Sequence, residues 1–494
     1  MRIHIVEPYH SFAMQRMSVP LLELSNLYEV TTGEEVDHSA DLNIHIPWHT
    51  MTERKGSKHI ISYTHCNPPD IPKLYEACEL ADLVVCMSYA GRNELIQLGV
   101  DPVKLWVNYC AADNFSFKRK VIGIVGSVQP NGRKRESLLL DLAWSYDLSP
   151  FEFIFVGNGW EDTAQKLQSL GVSCGIAQAD DTQLGRIYGA MDALLVTGYN
   201  EGGPLPLLEG MAVGIKVISP RFGYAADLLD EHYETPAELM DILNELAEPS
   251  ILSHQIARAW SWKDYVAEYA MLIGRMFGST TELFPAFAAD RYSQLLDIID
   301  EVKPSEIVEI GTWNGNRALQ MIQQAAKYHP IGDIYYQGFD LFETQTGEQF
   351  RSELSKRGWN VKVVEKRLQA TGADIELQEG NTKTTLRIIN KDAGFYFVDG
   401  GHSEKTIQND FEAVRPLLIN SVAVFDDYYH EGKPEGMGCN KVIDSLTDQY
   451  KVTHLPIRTK TEDGRVIGMV RVEKKDLRTQ GGPVSKEAFF LVGE

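Results

Sequence analysis

Three carboxylates and a histidine stand just behind two short apolar runs in the last third of this 494-residue chain. Phe397-Val398-Asp399-Gly400-Gly401-His402 closes one run, and Val424-Phe425-Asp426-Asp427 closes the other. If the runs are strands of one parallel sheet, both end on the edge where ligands bind. Asp399, Asp426 and Asp427 converging there would repel one another unless a cation sat between them, and all-oxygen donors favour a hard ion such as Mg²⁺. Such an ion would bind a substrate hydroxyl and lower its pKa. His402 has an unperturbed pKa near ~6.5, which suits a proton acceptor at neutral pH. Three carboxylates solvated on separate loops, with a loop or capping histidine, are the alternatives that these residues leave open.

Upstream, Ile307–Gly315 reads I-V-E-I-G-T-W-N-G. A strand carrying Glu309, then Gly311 and Gly315, lets the backbone approach a bound cofactor closely. By itself that turn is shared with every Rossmann-like protein. Asp340, closing Gly338-Phe339-Asp340, is suited to a pair of ribose hydroxyls. A second constellation lies earlier. Glu201 and Glu209 stand eight positions apart around Gly202-Gly203-Pro204. Such a turn leads into a helix N-terminus, whose free amides suit a diphosphate. Carboxylates beside it can accept hydrogen bonds from sugar hydroxyls. On spacing alone, a solvated loop glutamate and a helix-face glutamate fit equally well.

Strand-like runs alternate with amphipathic segments along the chain. Examples are Lys58–Tyr63, Leu83–Met87, Val121–Val125, Phe151–Val156 and Ala193–Thr197, and the rhythm returns at Ile307–Ile310, Gly394–Val398 and Val422–Phe425. This alternation predicts an α/β fold with parallel sheets. Breaks near Asn114–Lys120 and Phe277–Glu282 divide it into units 1–117, 118–278 and 283–474, with a tail over 475–494.

The formal charge of −22 argues against non-specific nucleic-acid binding, which needs basic surface. Hydrophobic residues at 44% suffice for full cores. Met1-Arg2-Ile3-His4-Ile5-Val6 reads as a short strand rather than a signal peptide. No stretch approaches the ~18 apolar residues of a membrane span. The six cysteines are scattered without a CxxC pair, which fits a reduced, cytoplasmic setting.

The segment around Glu201 and Glu209 resembles the E-x7-E motif of the large retaining glycosyltransferase family of GT-B architecture. Ala212-x-Gly214 and Val217-Ile218 follow the family's run, with Lys216 at its usual proline. Further matches in order are Ala81–Val85 with Ser88, Asn108–Phe115, Phe155–Gly159 and Trp260-Ser261-Trp262. The resemblance implies that Glu201 contacts the donor sugar, Glu209 the nucleotide ribose and His65 the donor-sugar side. It implies that Lys134 stabilises the departing diphosphate. Ser127 stands where the family has an arginine, and Arg133 or Arg135 can compensate. No glycine precedes Gly33, so the family's glycine loop after the first strand is missing, and the first unit is short.

Residues 290–472 resemble metal-dependent O-methyltransferases, especially those acting on sugars, with catechol-type relatives. Val308-Glu309-Ile310-Gly311 matches their first motif. The resemblance puts Asp399, Asp426 and Asp427 on metal-ligand positions and His402 where the catechol type has a lysine base. The fold expected is therefore two Rossmann-like GT-B domains followed by a Rossmann-like methyltransferase domain. The expected function is transfer of a sugar from a UDP- or GDP-sugar to a glycan or other acceptor, and O-methylation of a sugar hydroxyl by S-adenosylmethionine with Mg²⁺. The oligomeric state is left open. The short first unit motivates a rival in which residues 1–275 bind a glycan without transferring it.

Overall fold

The computed structural model describes residues 1–7, 12–54, 56–113, 115–128, 132, 134–198, 204–278, 291–344, 358–446, 449–461 and 463–475. Contacts divide the chain into two compact units, one of Asp113–Ala257 and one joining Met1–Ala112 to Arg258–Glu494. Three sheets are present among the described residues, one in the former unit and two in the latter.

The first sheet comprises β1 (Arg2–Val6), β2 (Glu29–Gly33), β3 (Leu42–His45), β4 (Lys58–Tyr63), β5 (Leu83–Cys86) and β6 (Leu105–Val107) in the order β2-β1-β3-β4-β5-β6. Every pairing is parallel. Parallel strands covered on both faces read as nearly unbroken apolar runs, as β5 (LVVC) does, while β4 (KHIISY) buries His59 and Ser62 among its apolar residues. One face takes the helix Trp262–Phe277, which buries Tyr265, Val266, Tyr269 and Ile273 against Ile5, Ile44 and Ile60. That helix starts at a reciprocal cap: Ser261 Oγ accepts the Asp264 amide at 3.0 Å, and Asp264 accepts the Ser261 amide at 3.2 Å. It stops at Gly278, whose φ of 64° is left-handed.

The Asp113–Ala257 unit holds β7 (Lys120–Val125), β8 (Phe151–Val156), β9 (Ser173–Ala177), β10 (Ala193–Leu195) and β11 (Lys216–Ile218), ordered β11-β10-β7-β8-β9 and wholly parallel. Its core is aromatic around Phe151, Phe153, Phe155 and Trp160. Trp160 stacks on Phe155 with centroids 4.7 Å apart and donates its indole N–H to the Gly126 carbonyl at 2.8 Å. That bond fixes the turn at the carboxyl end of β7.

The third sheet contains β12 (Glu306–Ile310), β13 (Tyr335–Asp340), β14 (Asp374–Glu379), β15 (Phe395–Val398), β16 (Val422–Glu431), β17 (Tyr450–His454), β18 (Thr459–Lys460) and β19 (Val466–Lys474). Its order is β14-β13-β12-β15-β16-β19-β17, with β18 paired to β19. Strands β14 to β16 are parallel, and β19 and β17 run antiparallel. The chain winds from β12 to one side, then returns to start β15 on the other. A crevice opens at that reversal, outside the carboxyl ends of β12 and β15.

First and third sheets share an apolar cluster in which Trp48, Ile61 and Tyr63 join Leu295, Ile307 and Met321. The helix Asn316–Ala325 also closes the free edge of β6, where the Val107 amide donates to Gln323 Oε1 at 2.6 Å. Trp106 Nε1 and Gln320 Nε2 each donate to Glu268 at 2.7 Å. A buried edge amide needs such a partner, and for Val107 the Gln323 side chain supplies it. The α/β class with Rossmann-like parallel sheets is as the sequence predicted.

Candidate functional site

Glycine Gly311 follows β12 with φ of 99°, and a Cβ there would collide with the Asp399 carbonyl. The backbones of the two strand ends thus meet at the crevice, joined by the Asp399 amide donating to Ile310 O at 2.7 Å. Gly315, with φ of 79°, opens the helix Asn316–Ala325. Asp340 at the end of β13 accepts the Trp313 and Phe342 amides, each at 2.7 Å, which orients its carboxylate beside the turn. Burial raises its pKa, against the pull of those amides. Each oxygen keeps a lone pair for a ligand hydroxyl.

Glu309 is 1% exposed and pairs with the Tyr336 hydroxyl, which in turn lies 3.2 Å from Thr312 Oγ1. Burial pushes Glu309 up to about 8, against that hydrogen bond and the Arg317 charge. Its register partner on β13 is Gly338. A Cβ there would stand 2.9 Å from the Tyr336 ring, so glycine makes room for the tyrosine to reach Glu309.

Asp399, Asp426 and Asp427 do converge. Strand β16 breaks register between Phe425 and Tyr428, and Asp427 sits in the break with φ of 59°. A bulge of this kind re-aims side chains, and here it sends both aspartates towards the crevice. Tyr292 Oη lies 2.7 Å from Asp426 and 3.1 Å from Asp399. Arg291 grips Asp426 with both nitrogens, Nε at 2.7 Å and Nη2 at 2.5 Å, and its Nη2 stands 3.8 Å from Asp427. Burial and the carboxylates of Asp426 and Asp427 push Asp399 well above the usual carboxylate range. Burial would also raise Asp426, but the Arg291 charge and hydrogen bond hold it low.

His402 Nδ1 pairs with Asp427. Burial disfavours the imidazolium, yet the Asp427 bond and the surrounding carboxylates outweigh it and raise His402 to about 9. This corrects the expectation of an unperturbed imidazole. The cation expected between the carboxylates is, in this structure, the Arg291 guanidinium. Among the described residues no group of three or more His, Cys, Asp or Glu side chains is disposed to hold a metal ion. A bound Mg²⁺ needs oxygens at ~2.1 Å in octahedral array. Both Asp426 oxygens are instead engaged by Arg291 and Tyr292, so the arrangement does not fit that ion.

Lys134 is half-buried over the turn that follows β7, where a Cβ on Gly126 would stand 3.0 Å from its Nζ. Arg135 is tied down, its Nε donating to the Thr197 carbonyl at 2.8 Å and Nη2 to Tyr233 Oη at 3.0 Å. Its guanidinium thus anchors the end of β10. Glu209 lies on the helix Leu205–Val213 and accepts the Tyr188 hydroxyl at 2.6 Å. Glu201, Gly202, Gly203 and Arg133 lie outside the described residues. His65, in the other unit, is exposed past the end of β4, with Nδ1 3.1 Å from Thr64 Oγ1.

Arg291, Tyr292, Tyr336 and Arg317 were not found from the sequence. The one available signal was Arg291-Tyr292 immediately before the apolar periodicity of Ser293–Val302.

Residues 308–428 match the family model described as a methyltransferase domain, and residues 119–258 match that of glycosyl transferases group 1. No curated protein matches. Among solved structures, the chain is similar to the apo form of the lipopolysaccharide outer core galactosyltransferase WaaB. That likeness has 17% identity and a TM-score of 0.24, covering 50% of this chain and 91% of that one. It is also similar to Alr3699/HepE of Anabaena in complex with UDP-glucose, at 14% identity and TM-score 0.25, over 56% of this chain and 100% of that one. A third is the cofactor-bound Rv0187 from MTB, at 14% identity and TM-score 0.26, over 49% and 98%. The two domain matches, rather than these distant likenesses, identify what the chain carries: a glycosyltransferase group 1 domain and a methyltransferase domain.

Proposed function

We propose that the chain is a two-site transferase. Residues 118–278, with an acceptor domain in 1–117, transfer a sugar from a UDP- or GDP-sugar to a glycan or other acceptor with retention. Residues 283–474 O-methylate a sugar hydroxyl in the cytoplasm. The observation that carries the reading is the cluster of Asp399, Asp426, Asp427 and His402 beside the Gly311 turn, at the reversal point of a sheet within a methyltransferase match.

When bound, S-adenosylmethionine supplies the electrophilic methyl group. Gly311 and Gly315 would leave backbone space for it, and Asp340 and Glu309 would hold its ribose and methionine regions. The acceptor hydroxyl gives its proton to His402 Nε2, while Asp427 holds the opposite ring nitrogen and stabilises the imidazolium that results. With His402 at about 9, only a minor neutral fraction acts at pH 7, so transfer accelerates as pH rises towards 9. Positioning does the remaining work. In the sugar-transfer site, Lys134 and the amides opening Leu205–Val213 stabilise the leaving diphosphate. Glu209 accepts from the ribose, and Glu201 serves the donor sugar.

The test is donor turnover by the full chain with radiolabelled UDP- and GDP-hexoses. Release of labelled sugar, lost in Lys134→Ala and Glu209→Ala, is the expected result. Nucleotide binding with no turnover of any donor would favour the glycan-binding reading of residues 1–275.

A further inference from the structure

Buried carboxylates that share one crevice need positive charge, and a protein can supply it from a metal or from a side chain. Here the donors around Asp426 are complete. Arg291 contributes two nitrogens at 2.7 and 2.5 Å, and the Tyr292 hydroxyl a third contact at 2.7 Å. The same hydroxyl reaches Asp399, and the same guanidinium stands beside Asp427. Arg291 is only 13% exposed, against 1% for Asp426 and 9% for Asp427, so water does little of the screening. The guanidiniums of Arg291 and Arg317 also lie over the Tyr292 ring, at 4.6 and 4.3 Å, which holds the tyrosine between carboxylates and cations. A divalent ion bridging Asp399 and Asp426 would have to take the space of the Tyr292 hydroxyl and would face the Arg291 charge.

We propose that Arg291 is the resident cation of the methyl-transfer site: it positions the three aspartates through a bidentate clamp on Asp426, and the site works without a divalent metal. The proposal rests on the methyltransferase reading above. Arg291 is a positioning residue, because it acts on the acceptor through Asp426, Asp427 and the His402 that Asp427 orients. A planar fork suits this task and a point charge does not. The acceptor therefore meets a rigid carboxylate rim, a surface for hydroxyl hydrogens of a neutral saccharide rather than for an anionic group.

The test uses the full chain after chelator treatment, with Mn²⁺ alone as probe, followed by electron paramagnetic resonance, and S-adenosylhomocysteine titrated by calorimetry. The wild-type chain is expected to take up no stoichiometric Mn²⁺ below ~1 mM and to bind S-adenosylhomocysteine equally well with and without chelator. Arg291→Ala, stripped of its internal cation, is expected to gain one Mn²⁺ equivalent that Arg291→Ala/Asp399→Asn loses again. Arg291→Lys keeps the charge and is expected to stay free of Mn²⁺. Stoichiometric Mn²⁺ in the wild type, abolished by Asp399→Asn, would overturn the proposal, as would a folded Arg291→Ala that takes up none. If Arg291→Ala does not fold, the wild-type and Asp399→Asn titrations decide alone. Failure to bind S-adenosylhomocysteine under any condition would instead strike the methyltransferase reading itself.

Discussion

The donor-side constellation and the edge of the third sheet are built by different means. Lys134 and Glu209 are half-buried, one on a turn and one on a helix, and Glu209 accepts the Tyr188 hydroxyl. Asp426 and Asp427 are buried on a strand and locked by Arg291, Tyr292 and His402. Among the described non-glycine residues with positive φ, Trp313, Phe342 and Asp427 lie at the carboxyl edge of the third sheet, and Arg135, with φ of 48°, lies beside Lys134. Strain of that kind persists only where surroundings over-determine it. The edge of the third sheet is thus held in shape before any ligand arrives, whereas Lys134 and Glu209 are half-buried groups on a turn and a helix.

That contrast can be broken most sharply by truncation. Asp426→Ala leaves the Arg291 charge buried without its partner and is expected to destabilise its unit by about 3–5 kcal/mol. Glu209→Ala loses one half-exposed hydrogen bond and should cost about 1 kcal/mol or less. Chemical denaturation of the full chain compares the two, and equal losses would contradict the difference in construction. Next in size is Gly311→Ala. Its φ of 99° and the Asp399 carbonyl leave no place for a Cβ. Strain of ~1–3 kcal/mol should weaken S-adenosylhomocysteine binding by about 10–100-fold. Binding of UDP or GDP, measured in the same titration, should not change.

A smaller effect separates acid from alkaline behaviour within one unit. His45 is fully buried, bonded to His59 at 3.1 Å and to Thr50 at 2.6 Å, and burial with the His59 charge depresses it to about 3. Its folded pKa lies below the unfolded ~6.5, so its contribution is complete above pH 6.5 and is lost as pH falls towards 3. The slope is at most about 1.4 kcal/mol per pH unit. His402 has the opposite sign: its contribution is complete below pH 6.5 and fades as pH rises through about 9. Stability curves of His45→Asn and His402→Asn should flatten on the acid and alkaline sides respectively. The smallest observable is the ring itself. In a histidine-labelled sample the His402 resonance should titrate near 9, and Asp427→Asn should bring it down. No change in that variant would mean that Asp427 does not set the imidazole charge.

Much of this was legible from residue patterns, for a local reason. Apolar β-branched runs ending in Glu, Asp or Gly mark strands and the sheet edge they reach, so Asp399, Asp426, Asp427, Gly311 and Asp340 declared their place. Arg291 did not, because its partner Asp426 is 135 positions away, and periodicity reveals that a face is apolar but not what meets it. The same blindness hid the shared core of the first and third sheets. The pattern of Asn316–Ala325 marks a helix, while its Gln323 bond to Val107 crosses 216 positions. The shifted His402 was hidden likewise, since a bulge 25 positions on delivers Asp427 to it.

The central claim is that one chain holds two separate cofactor pockets. Calorimetric titration of the full chain with S-adenosylhomocysteine, then with UDP and GDP on the saturated protein, tests it most directly. The account predicts one site for S-adenosylhomocysteine and one for a nucleotide, each with the same affinity whether or not the other is filled. Competition between the two ligands, or binding of neither nucleotide in any order, would contradict it.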